Sequence, residues 1–217
     1  TPPRRRTGAR ELAKKKKNTK QILYPTVAMI ALTAVLTLAL ALMNSATKER
    51  IAELEDLKVQ RTILYVLNID VDPKDDDAVV STYERLITPG TLGELNYFEA
   101  RDGGNLIGYA FPMNGAALWG SVRGYIAVSP EFDRILGVDF VSHSETPGLG
   151  GRIDESWYKE QFRDMPIPEN SGPVVIYKPA DGGNADAISG ATLTSDAIRK
   201  LIDSSIERIL EAERSGA

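Results

Sequence analysis

Asn96-Tyr97-Phe98-Glu99-Ala100, the turn Asp102-Gly103-Gly104-Asn105, and Leu106-Ile107-Gly108-Tyr109-Ala110-Phe111 form the stretch that decides the architecture. Two runs rich in aromatic and aliphatic residues flank a Gly-Gly turn, which is the pattern of a β-hairpin. Working outward, Val122 to Val128 alternates, with Val122, Gly124, Ile126 and Val128 on one side and Arg123, Tyr125 and Ala127 on the other. Ile135 to Val141 follows the turn at Pro130-Glu131-Phe132-Asp133, and Val174 to Lys178 reads as another strand. Together these predict an antiparallel sheet with one face available to helices. Helical spacing appears in Ala78 to Ile87, ended by Pro89-Gly90, in Ser156 to Phe162, and in Asp196 to Glu213 through Ile198, Leu201, Ile202, Ile206, Ile209 and Leu210. The fold class is therefore α+β: an antiparallel sheet with packed helices, preceded by one N-terminal transmembrane helix.

That last element rests on residues 22–43, which carry no charge and are rich in Ala, Leu, Val and Ile. At 1.5 Å per residue they reach roughly 33 Å, enough to cross a bilayer core. A signal-peptide apolar region is shorter, about 7–15 residues, although Ala39-Leu40-Ala41 leaves cleavage conceivable. Tyr24 and Pro25 fall at the entering end, where an interfacial aromatic and a first-turn proline are tolerated. Ser45 to Leu67 keeps a helical pattern through Ile51, Leu54, Leu57, Ile63, Leu64 and Leu67. The expected organisation is a basic cytoplasmic N-terminus (1–20), the span (21–44), a helical stalk (45–68) and a domain (69–217).

The chain has 217 residues, enough for one domain plus an accessory segment, and its formal charge of −4 conceals an asymmetry. Residues 1–20 are strongly basic (Arg4, Arg5, Arg6, Arg10, Lys14, Lys15, Lys16, Lys17 and Lys20 against Glu11), and the remainder is acidic. Positive charge beside a span places the N-terminus inside and the acidic body across the cell membrane, in the periplasm or outside. It explains the basic head through topology and lipid, with no role for nucleic acid. There is no cysteine, which excludes disulfides, thiol catalysis and cysteine-held iron–sulfur clusters. His143 is the sole histidine, which excludes a His-rich metal site. If this chain moves electrons, an organic cofactor carries them.

Chemistry concentrates in two loops. Asp186-Ala187-Ile188-Ser189-Gly190-Ala191-Thr192-Leu193-Thr194-Ser195 crowds small residues and hydroxyls just before the last helix. Thr194 or Ser195 is the expected N-cap, with Asp196 in the first turn. Such a junction is equally a well-capped turn or an anion site, because exposed N–H groups meet Gly190 and Ala191, which let a phosphate approach. The other loop, His143-Ser144-Glu145-Thr146-Pro147-Gly148-Leu149-Gly150-Gly151-Arg152, specifies an unusual backbone path.

Asp186-x-x-Ser189-Gly190-Ala191-Thr192 resembles the flavinylation motif of the FMN-binding domains in NqrC, a subunit of the sodium-pumping NADH:quinone oxidoreductase (NQR), and in RnfG, its counterpart in the Rnf complex. Glu145-Thr146-Pro147-Gly148-Leu149-Gly150 resembles the same family's flavin-facing signature, and Ala117-Leu118-Trp119-Gly120 adds a weaker third match. The resemblance covers roughly residues 95–210. It implies FMN bound covalently to Thr192 through a phosphoester, attached by a flavin transferase that uses FAD. It implies further that Ser189, Gly190, Ala191, Leu193 and Thr194 surround the phosphate. Leu149 and Trp119 would lie against the ring, with Thr146, Gly148 and Gly150 at its edge. Glu145 would either touch the flavin or hold the loop, Asp186 would serve transferase recognition, and His143 reads as structural. The implied partners are other subunits of a multisubunit membrane redox complex, the transferase and the lipid bilayer. The implied role is electron relay in an ion-translocating, NADH-linked complex of the NQR or Rnf type.

Two other readings stay open: a membrane-anchored binding or assembly domain without cofactor, and a flavin-containing sensor. An autonomous hydrolase is not expected, because His143 precedes no nucleophile elbow and the hydroxyl-rich motif lacks a nearby base. No Gly-x-Gly-x-x-Gly spacing occurs, so nicotinamide binding belongs to another chain.

Overall fold

The computed structural model describes residues 7–168 and 172–216, and of residues 7–22 the backbone alone. Residues 1–6 of the basic head lie outside the described residues. The chain divides into two compact units, Thr1–Leu54 and Glu55–Ala217.

The first unit is formed by helix α1 (Thr7–Val66), whose last turns belong to the second. Pro25 stands inside α1, well past the first turn where a proline is easily accommodated. Among the described residues α1 is the one helix long and apolar enough to cross a membrane, with a mean hydropathy of 2.4 in its most apolar window. Leu23, Val27, Ile30, Leu36, Leu40 and Met43 are all more than half exposed on it. An exposed surface of that kind on every side suits a lipid solvent.

The second unit is a six-stranded antiparallel sheet in the order β1 to β6, each strand beside its chain neighbour. The strands are β1 (Ile87–Leu92), β2 (Leu95–Asp102), β3 (Asn105–Ala116), β4 (Ser121–Val128), β5 (Arg134–Ser142) and the short β6 (Met165–Pro166). Both faces are covered, where the pattern had suggested one. Phe111, Met113, Val122, Ile126 and Val128 point to the face under α4 (Thr192–Gly216), where Ile198, Leu201, Ile202, Ile206 and Ile209 meet them. Ala100, Ala110 and Ala127 point the other way, against Ile63 and Leu64 in the last turn of α1, Leu67 just after it, and Val79 and Leu86 of α2 (Asp76–Leu86). Alanines on this second face let the helices approach closely, and their alternation with bulky residues is the two-residue period of a strand read on both sides.

Two further sequence expectations are revised. Pro89-Gly90 does not end a helix but lies in β1, paired with Phe98 and Tyr97. β1 is an edge strand, where a missing N–H costs no ladder bond, and the Tyr97 ring lies over Gly90, 2.5 Å from where a Cβ would stand. The strand expected at Val174 to Lys178 reduces to one bridge, Tyr177 to Ala185. Side chains satisfy its backbone instead: Asp203 Oδ1 accepts the N–H groups of Val174 and Val175, at 2.9 and 3.1 Å, and Asn184 Oδ1 accepts that of Ile176 at 2.8 Å. The hairpin at Gly103-Gly104, the alternation in β4 and the brief helix α3 (Ser156–Glu160) stand as read.

Gly124 shows how tightly β4 and β5 approach, since a Cβ there would come 2.2 Å from the Asp139 carbonyl oxygen and 3.1 Å from Phe140 Cα. Both obstacles are backbone and cannot swing aside. Gly124→Ala should therefore lose about 1–3 kcal/mol of stability, read as a lower urea midpoint with an unchanged slope.

Candidate functional site

α4 begins at Thr192, two residues after Gly190, whose φ of +77° lies in the left-handed region that glycine adopts without strain. The helix thus starts before the expected caps. Thr194 and Ser195 are buried inside it, and Asp196 lies beyond the first turn, 3.6 Å from Arg199. Their hydroxyls serve partners off the helix: Thr194 Oγ1 donates to Glu145 Oε2 at 2.5 Å, and Ser195 Oγ accepts the Ile188 N–H at 2.9 Å. The Ser195 N–H closes the first turn onto the Ala191 carbonyl at 3.0 Å. The N–H groups of Thr192, Leu193 and Thr194 come before that bond and have no carbonyl within the helix to reach. Thr192, Leu193, Ser189 and Gly190 lie toward the surface, and Ala191 is buried.

Residues 143–151 meet this helix start. The Leu149 and Gly151 N–H groups both donate to the Thr146 carbonyl, at 3.1 and 2.9 Å, winding the loop into a tight turn with Gly148 at φ +75°. His143 Nδ1 accepts the Glu145 N–H at 3.1 Å, so its Nε2 carries the proton toward Asp154 Oδ2 at 3.0 Å. His143 thus links the Glu145 backbone to Asp154. Leu149 lies over Gly190, its Cδ2 3.6 Å from where a Cβ would stand, while Thr146 and Gly148 are exposed. Gly150 is buried against Glu145 and Thr194.

The third segment is the β3–β4 turn. The Trp119 N–H donates to Glu145 Oε1 at 2.9 Å, and Gly120 stands where a Cβ would come 2.9 Å from Ser144. Leu118, Trp119, Leu149 and Leu193 are 45, 67, 47 and 64% exposed. Among the described residues of the second unit, only Trp157 is another large apolar side chain exposed to a similar degree. Apart from Trp157, the large apolar side chains exposed on the described part of the domain lie on three segments joined at the first turn of α4, an arrangement able to receive a flat apolar group carrying a phosphate.

No pattern in the sequence marks the residues that fix the loop from behind. Gln161 grips Asp186 by both backbone groups, accepting its N–H at 2.6 Å and donating to its carbonyl at 3.3 Å, while the Asp186 carboxylate stays exposed, 3.4 Å from Lys178 Nζ. Tyr177 OH donates to the Ser195 carbonyl at 3.0 Å and shares a 2.7 Å hydrogen bond with Tyr158 OH. A side chain that binds backbone across a fold leaves no periodicity to detect. Burial pushes the Tyr177 hydroxyl up to about 12 from 10.0, against the opposing pull of the Tyr158 hydrogen bond, and raises Tyr158 further.

Fold and site define a class: an α+β domain with an exposed apolar site at a helix N-terminus, following a helix able to span a membrane. Residues 118–207 match the family model of the FMN-binding domain. Similar proteins include the G subunit of the ion-translocating oxidoreductase complex of Methanosarcina acetivorans, 29% identical over 90% of this chain and 98% of that one. The protein of the same name from Stutzerimonas stutzeri is 33% identical over 83% of this chain and 78% of that one. The crystal structure of the C subunit of Na+-translocating NADH-quinone reductase from Parabacteroides distasonis shares the fold, with a TM-score of 0.62, 24% identity and coverage of 76% of this chain and 96% of that one. The chain belongs to the family of G subunits of ion-translocating oxidoreductase complexes and carries an FMN-binding domain.

The hydrogen bonds around the first turn of α4 set two expected outcomes. Thr194→Ala should cost about 1–3 kcal/mol in chemical denaturation, because it removes a donor from a buried carboxylate. For Tyr177 the folded value lies above the unfolded one, so its contribution is complete below pH 10.0 and lost as pH rises toward about 12. Urea midpoints should fall across that interval, and Tyr177→Phe should flatten the fall.

Proposed function

We propose that this chain carries FMN esterified through its phosphate to Thr192 Oγ1, and that it relays electrons as a membrane-anchored subunit of an ion-translocating, NADH-linked redox complex. The observation that supports this most directly is the sorting of hydroxyls at the start of α4. Thr194 and Ser195 are buried and engaged, whereas Thr192 is exposed as the first residue of the helix, next to the exposed Leu193. The bound flavin would supply one-electron chemistry at a site with no thiol and no histidine cluster.

The chain's own groups do the rest. N–H groups in the first turn of α4 hold a phosphate diester with the positive end of the helix dipole, and Gly190 leaves room for its oxygens. Trp119 and Leu149 offer apolar faces to a ring. Asp186, held by Gln161 with its carboxylate outward, suits recognition by the flavin transferase. Attachment forms the Oγ1–P bond, breaks the pyrophosphate of FAD, and releases AMP and the hydroxyl proton. Covalent linkage keeps the cofactor from diffusing away on the outer side of the membrane. The basic head orients the N-terminus to the cytoplasm, the acidic domain lies beyond the membrane, and one span leaves ion conduction and nicotinamide chemistry to partner subunits.

Thr192→Val exchanges a hydroxyl for a methyl of similar size, so the fold should persist while covalent flavin disappears. In-gel flavin fluorescence after co-expression with a flavin transferase checks this. A fluorescent Thr192→Val band would move the attachment to another hydroxyl, with Ser189 first in line. A dark band from the unaltered chain would favour a cofactor-free binding domain.

A further inference from the structure

Glu145 is the one charged residue that is buried among the described residues, 5% exposed, and no cation there pairs with it. A carboxylate in that position ordinarily costs several kcal/mol unless hydrogen bonds and local dipoles stabilise it. Here its two oxygens face in different directions: Oε1 accepts the Trp119 N–H at 2.9 Å and Oε2 accepts the Thr194 hydroxyl at 2.5 Å. Its own N–H is held by His143 Nδ1 at 3.1 Å. Gly150 makes room for the bridge, since a Cβ there would come 2.6 Å from Oε2 and 2.5 Å from Thr194 Oγ1. Thr194 is the third residue of α4, so the carboxylate also lies at the positive end of that helix.

We infer that Glu145 is the positioning residue of this site: it ties the Trp119 turn and its own loop to the first turn of α4, and it sets a carboxylate against Thr194, two residues from Thr192, whose charge opposes electron uptake by a bound flavin. The carboxylate is buried within this bridge rather than turned to the surface, which favours holding the loop over direct flavin contact. The bridge concerns this chain alone; the charge effect rests on the FMN reading above.

Glutamine separates the two roles. Its carbonyl can accept the Trp119 N–H while its amide donates to the Thr194 hydroxyl, so Glu145→Gln keeps the bridge and removes the charge. Alanine removes both. With Trp157→Phe as background, Trp119 is the only indole, and its fluorescence anisotropy in the flavin-free full-length chain reports whether the turn is held. The expected order is a high anisotropy in the background chain and in Glu145→Gln, and a clear drop in Glu145→Ala. Thr194→Val, which breaks one arm, gives the same reading should Glu145→Ala not fold. In the flavin-loaded chain, Glu145→Gln should shift the midpoint potential to more positive values, because removing a nearby negative charge favours the reduced form. Unchanged anisotropy in both Glu145→Ala and Thr194→Val overturns the bridge, and an unchanged potential in Glu145→Gln overturns the charge effect. A chain that takes up no flavin under an active transferase overturns the FMN reading and the charge effect with it, while the anisotropy comparison still decides the bridge.

Discussion

The geometry of the loops depends on one buried carboxylate shared between a backbone N–H and a hydroxyl. Glu145 lies in a segment with no regular hydrogen-bond ladder, and it joins that segment to the end of a hairpin and to the start of a helix. Loops held only by solvent-exposed contacts sample many conformations, and each ordered residue costs about 1–2 kcal/mol of backbone entropy. A charge-assisted hydrogen bond is stronger than a neutral one, and burial shields it from competing water. The small residues around it follow from the same constraint: Gly150 and Gly120 are sites where a side chain would collide with the bridge or with Ser144.

The sheet makes this possible by bringing the segments to one end. β3 and β4 are joined by the Trp119 turn, β5 leads directly into the Glu145 loop, and α4 packs over the face that carries Phe111, Ile126 and Val128. A meander in chain order places these connections side by side without any crossover. On the opposite face, closed by the end of α1 and by α2, the central strands present Ala100, Ala110 and Ala127. Both faces are thereby covered, while the loop end keeps Trp119, Leu149 and Leu193 exposed.

Much of this was legible in the residues because strand alternation and helix spacing are local. The two-residue period of Val122 to Val128 separated Val122, Ile126 and Val128 from Ala127 as the two cores do, and the turn at Gly103-Gly104 set its hairpin. What escaped had non-local causes. Pro89-Gly90 reads as a terminator until Tyr97 on the next strand is known to cover the glycine. Val174 to Lys178 has strand composition, yet Asp203 on α4 and Asn184 across the loop take its N–H groups. Thr194 and Ser195 have the chemistry of N-caps, and tertiary partners override that local role. Within the site, the motif residues were found by resemblance, whereas Gln161 and Tyr177, which hold them from behind, follow no pattern a sequence displays.

The central claim is that Thr192 carries the flavin. Its most direct test is peptide mass mapping of the unaltered chain, purified from membranes after co-expression with an active flavin transferase. The account predicts one added FMN phosphoryl group, located on the peptide spanning the start of α4 and fragmenting at Thr192. An unmodified peptide, or FMN on any other residue, would contradict it.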